Sequence, residues 1–100
     1  MSDTIAILPA HAGSLLSATL ENLDCTKTAA ARFLGLSRQT LYQIIAGKQA
    51  ITPDVALRVA KLTGTKPEKW LDMQQAHDLA VARDKSRNLL ENVPQLEERW

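Results

Sequence analysis

Apolar residues recur along this chain at helical spacing, and the residues that break the rhythm are turn formers. Leu16, Leu20 and Leu23 fall at i, i+4 and i+7, which predicts a first helix over 12–23 with one buried stripe. Thr26 is a good N-cap for a second helix over 27–34, whose Ala30, Ala31 and Leu34 share an inner side. Gly35 then suits the left-handed turn that ends a helix. Ser37 caps a third helix over 38–46 that turns Leu41, Ile44 and Ile45 inward, and Gly47 closes it. Thr52-Pro53 is a cap followed by proline at the first helical position, opening a fourth helix to about Thr63 with Val55, Val59 and Leu62 as its stripe. Gly64 terminates it. Thr65 or Lys66 precedes Pro67, which opens a longer fifth helix through at least Arg83. Pro94 breaks any helix that continues into the tail.

The expected fold is all-α: a compact five-helix domain with a C-terminal helical extension. The expected organisation is an N-terminal arm over 1–10, a domain over 11–83 and an extension over 84–100. No internal repeat or β-branched alternation suggests anything else. A chain of 100 residues buries roughly two-thirds of the surface its unfolded form exposes, so it needs no staple. Its single cysteine, Cys25, forms no internal disulfide and reads as a small residue at a helix boundary; with no basic leader and no membrane-length apolar run, the expected location is cytoplasmic.

Charge is unevenly placed. Residues 1–24 carry −3, residues 25–53 carry +4 with no acid at all, and residues 54–100 balance, leaving a net +1. The basic block, with Lys27, Arg32, Arg38 and Lys48, fits either a surface that faces a polyanion or a chance cluster of four cations. Enzyme chemistry finds no support: His11 and His77 lack metal-ligand spacing, no glycine loop cradles a phosphate, and Glu97-Glu98 sits at a charged terminus. No metal and no cofactor is expected.

The informative stretch is 26–47, TKTAAARFLGLSRQTLYQIIAG. Two short helices are joined by the three-residue turn Gly35-Leu36-Ser37, and small Ala31 lies four residues before the glycine, where the helices approach. Leu36 and Leu41 plug the space between them. This segment resembles the helix-turn-helix of the phage-repressor-like (Xre/Cro) proteins. The likeness extends over 11–83: His11-Ala12-Gly13 is similar to the HPGE that opens HigA-type antitoxins. Thr65, Pro67, Glu68, Trp70, Leu71, Gln74 and Asp78-Leu79 match the TxPExWLxxQxxxDL-like segment that separates HigA-like chains from generic phage repressors. Ala12 and Ser14 depart from HPGE, and Ala29-Ala30-Ala31 replaces a more Glu-Leu-Ala-like triplet.

The resemblance implies an antitoxin of a type II toxin-antitoxin system. Such a protein is a DNA-binding homodimer that represses its own operon at a pseudo-palindromic operator, with half-sites about 34 Å apart. It also binds a small basic HigB/RelE-like mRNA-cleaving toxin. The alternatives are a stand-alone Xre-family regulator without a toxin partner and a toxin binder whose DNA contacts are vestigial. In this motif the third helix enters the major groove. Arg38, Gln39, Thr40 and Gln43 are then the base readers: Arg38 for guanine, Gln39 or Gln43 for adenine, the Thr40 methyl for thymine. Lys27, Ser37, Tyr42 and Lys48 are the candidate phosphate contacts, and Arg32 is either another or plain surface. On the fifth helix Trp70, Met73, His77 and Val81 form a stripe that either meets a second copy or packs internally. The tail residues Leu89, Leu90, Val93, Leu96 and Trp100 either extend that interface or dock on their own domain. The acidic stretch with Asp3, Glu21 and Asp24 is either a seat for a basic toxin or a solvated face.

Overall fold

The first helix starts where the His11 ring accepts a hydrogen bond from the Ser14 backbone N–H at 3.3 Å, an N-cap made by an imidazole. This computed structural model describes residues 10–97, so most of the arm and the end of the tail, with Asp3, Glu98 and Trp100, lie outside it. Helix α1 spans Ala12–Asn22, α2 Lys27–Leu34, α3 Arg38–Ile45, α4 Pro53–Thr63, α5 Pro67–Lys85 and α6 Arg87–Leu90. Among the described residues there is no strand, and no helix is long and apolar enough to cross a membrane.

Local signals set most boundaries. The hydroxyls of Thr26, Ser37 and Thr52 each accept from the backbone N–H three residues on, at 3.1, 3.0 and 3.3 Å. Each satisfies one of the amides that a helix start leaves unpaired. Gly35 and Gly64 end α2 and α4 at φ of 70° and 71°. The core collects Leu16 and Leu20 from α1, Ala30, Ala31 and Leu34 from α2, Leu41 and Ile44 from α3, Val55 and Val59 from α4, and Trp70 from α5. Leu36, Ile45 and Leu62 pack against it half-buried.

Two expectations change. Leu23 does not continue the α1 stripe but is exposed. The helix stops at Asn22, and Asp24 turns the chain at φ 53° before Leu23 can reach the core. Helices α1–α5 are the five expected, and α6, a single turn after α5 yields at Ser86, is the helical part of the expected C-terminal extension. Trp70, expected on a dimer-facing stripe, is fully enclosed by its own chain. It sits in the first turn of α5, where the helix enters the core, and its indole Nε1 donates to Thr65 Oγ1 at 2.8 Å. Thr65 Oγ1 also shares a hydrogen bond with Thr63 Oγ1 at 2.8 Å. The remainder of the expected stripe, Met73, His77 and Val81, is half-buried.

Two approaches fix the third helix. Gly13 on α1 lies so close to α3 that a methyl built there would overlap the Ile44 carbonyl oxygen and sit 2.9 Å from Ile45 Cα. Only glycine lets the two backbones meet at that crossing. On the other side Arg58 of α4 donates to the Leu34 carbonyl at the end of α2, 3.0 Å away, and pairs with Asp54 at 3.0 Å. That bond holds α4 against the turn between α2 and α3.

Candidate nucleic-acid interface

Helix α3 has two unlike sides. Leu41 and Ile44 are buried, so the period of 3.6 turns Arg38, Gln39, Tyr42 and Gln43 away from the core. These four line one open groove together with Ala46 and Lys48. Four residues named from sequence as base readers or phosphate contacts on this helix, and Lys48 beyond its end, are thereby brought onto a single face. Arg38, Gln39, Tyr42 and Lys48 are exposed, whereas Gln43 is half-buried. No hydrogen bond or ion pair within the described residues uses the side chains of Arg38, Gln39, Gln43 or Lys48. Their donors and acceptors are therefore available to a ligand.

Thr40 and Ser37 are arranged differently. Ser37 Oγ accepts from the Thr40 backbone N–H and donates to Thr40 Oγ1 at 2.9 Å, so the two hydroxyls brace the helix start. Thr40 is half-buried, and the first-turn amides that this cap does not use carry a partial positive charge that favours an anion. Lys27 lies half-buried in the first turn of α2, away from the α3 groove lining. Past the end of α3 the backbone N–H groups of Lys48 and Gln49 both donate to the Gln43 carbonyl, at 2.9 and 3.2 Å. That closure, with Gly47 at φ 77°, fixes where Lys48 leaves the helix. From Thr26 to Pro53 no acid occurs, and none lines the groove, so its Arg38 and Lys48 charges are unopposed there.

Several motif residues outside the α3 face act by positioning, through contacts that only the folded chain makes. His11 stacks edge-on against His77 of α5, centroids 5.5 Å apart at 73°. A methyl on Gly47 would come within 2.8 Å of the His11 ring. The imidazole thus links the start of α1, the end of α3 and the middle of α5. The Gln74 carboxamide accepts from the Ile51 N–H at 3.2 Å and donates to both oxygens of Asp78 at 3.0 Å. Gln74, Asp78, Thr65 and Trp70 belong to the motif that gave the closest sequence likeness, and here they tie α5 to α4 and to the loop after α3.

Two short helices crossing at a glycine turn, the second presenting an unpaired polar face above a cationic loop, define a helix-turn-helix DNA-binding module. A family model described as Helix-turn-helix matches residues 16–70. Antitoxin HigA-1 of Vibrio cholerae is 35% identical over 78 residues, which is 77% of this chain and 73% of that protein. Among solved structures, an addiction module antidote protein of the HigA family from Coxiella burnetii is 35% identical with a TM-score of 0.81, covering 90% of this chain and all of the other. Pseudomonas aeruginosa antitoxin HigA, solved with the higBA promoter, is 26% identical with a TM-score of 0.81 over 89% of this chain and 99% of the other. The chain belongs to the Xre-like helix-turn-helix family, in its HigA-type antitoxin branch, a family of non-enzymatic regulators.

Proposed function

We propose that this protein is the antitoxin of a type II toxin-antitoxin pair, a homodimer that binds its own operator and neutralises a small basic HigB/RelE-like toxin by direct contact. The observation that carries the DNA half is the α3 groove, where Arg38, Gln39 and Gln43 stand unpaired beside Tyr42 and Lys48. In this reading α3 enters the major groove. Arg38 meets guanine O6 and N7, Gln39 or Gln43 meets adenine, and the Thr40 methyl meets a thymine methyl. Lys27, Tyr42, Lys48 and the amides at Ser37 hold phosphates. The domain that does this runs over 11–83. Solved relatives bound to promoter or operator DNA support it.

A single module of this kind reads too few base pairs to select one site, so the active form is a dimer on a pseudo-palindrome. With Trp70 enclosed, the dimer face of α5 is its open side, where Leu71, Gln75, Leu79 and Ala82 line a groove beside Ile51. Two measurements test the proposal. Fluorescence anisotropy against DNA from upstream of its own gene reads the operator contact, and titration of base-substituted duplexes reads its specificity. Native mass spectrometry after co-expression with the neighbouring gene reads the toxin contact. A complex with a small basic protein supports the antitoxin, whereas a bare homodimer that still binds DNA makes it a stand-alone regulator.

A further inference from the structure

Helices α2 and α4 expose an apolar patch that the DNA face does not use. Phe33 and Leu57 are each about 60% exposed and, with Leu62, line an open groove between the two helices. Cations rim it: Arg58 and Lys61 share the lining, and the Arg32 guanidinium lies 5.5 Å from the Phe33 ring centroid. Asp54, bound to Arg58, is the acid beside them. Phe33 is off the Ala30-Ala31-Leu34 stripe and Leu57 off the Val55-Val59 stripe, so neither completes the core. A basic toxin is the wrong partner for this rim.

The same chain carries a segment of opposite character. Leu89, Leu90, Val93 and Leu96 are 56–84% exposed, so their own domain leaves them uncovered. Interleaved with them are Glu91 and Glu97, both exposed. Four apolar side chains uncovered within eight residues mark a contact surface rather than scattered surface leucines. The segment follows α5, a helix about 28 Å long at 1.5 Å per residue whose one buried residue is Trp70 in its first turn. It therefore leaves the domain at the end of the helix assigned above to the dimer, beside the second copy.

We infer that the tail of each protomer, residues 89–97, docks in the Phe33–Leu57–Leu62 groove of its partner, leucines on the apolar floor and glutamates against the cationic rim. The inference rests on the homodimer proposed above. Cross-linking tests it in a Cys25→Ser background, with Leu57→Cys on one population and Val93→Cys on a second, tagged population. Both positions are exposed, so neither change disturbs the core. After mixing and mild oxidation, the expected product is the mixed disulfide dimer, in large excess over either self-dimer. A statistical mixture overturns the inference, and so does an internally closed monomer from a chain carrying both Leu57→Cys and Val93→Cys, which would put the tail on its own domain. Sedimentation of the unmodified chain separates the failures: a dimer without the mixed cross-link removes only the tail contact, and a monomer removes both. Leu57→Ala or joint Glu91→Lys and Glu97→Lys weakens dimerisation about tenfold or more, as expected for loss of a buried leucine side chain or of its charge match.

Discussion

Gly13→Ala is the smallest change that tests how α3 is held. A methyl at this position overlaps the Ile44 carbonyl oxygen and lies 2.8 Å from the Ile44 carbonyl carbon and 2.9 Å from Ile45 Cα. Carbon atoms in ordinary contact stand about 3.5–4.0 Å apart, so α1 and α3 must separate by roughly 1 Å. The obstructing atoms are helix backbone and cannot rotate aside. Overpacking of this kind costs about 1–3 kcal/mol, and a rigid obstruction belongs at the upper end. Alanine regains up to about 1 kcal/mol in helix propensity, which leaves a net loss of about 2 kcal/mol. For a domain this size that lowers the melting temperature by roughly 8–16 °C. Thermal unfolding followed by far-ultraviolet circular dichroism measures it. A variant that melts at or above the parent would refute the close crossing. Because the displaced helix is the one proposed to enter the major groove, operator affinity of the folded variant is expected to fall as well.

Arg38→Ala and Gln39→Ala each cost about 1–3 kcal/mol on the operator and relax the base preference at one position, read by anisotropy against base-substituted duplexes; unchanged affinity would remove α3 from the groove. Lys48→Ala weakens every sequence alike and flattens the slope of log affinity on log salt by about one, measured across a salt titration. Thr65→Val strands the buried Trp70 Nε1–H without its 2.8 Å acceptor and destabilises the fold by about 1–3 kcal/mol in denaturant unfolding. Trp70→Phe in the same background recovers part of that loss, since it removes the stranded donor.

The helices were legible because their ends are chemical. Thr26, Ser37 and Thr52 announce starts by a hydroxyl that reaches the third amide, and Gly35 and Gly64 announce stops by a backbone conformation that side chains resist. The polar face of α3 was legible for the complementary reason: with Leu41 and Ile44 inside, residues 38, 39, 42 and 43 have nowhere else to point. Periodicity failed where its information ends. It gave α5 a stripe containing Trp70 but not the object the stripe meets, and the indole meets its own core. It carried the α1 stripe on to Leu23, one residue past the helix end, because spacing does not record where a helix stops. Gly13 and His11 are legible only as a likeness to HPGE and not in their roles, since a backbone crossing and a ring lodged between three elements exist only once distant segments meet.

Those long-range contacts bear on how α3, the proposed reading helix, is aimed. α3 is eight residues long, too short to hold itself in place by its own hydrogen bonds. Its direction is set from outside: by the Gly13 crossing at one side, by Arg58 gripping the end of α2 before the turn, and by His11 lodged against Gly47 after it. Two of the links around α3 lead onward to α5, through His11 to His77 and through Ile51 to Gln74. A dimer built on α5 would therefore fix not only the distance between two reading helices but their tilt, because the same side chains that seat α5 also seat the loop that ends α3. In such a dimer half-site spacing would be a property of the packed core, and residues outside the α3 groove, Gly13, Gln74 and His77 among them, would help determine which operator is read.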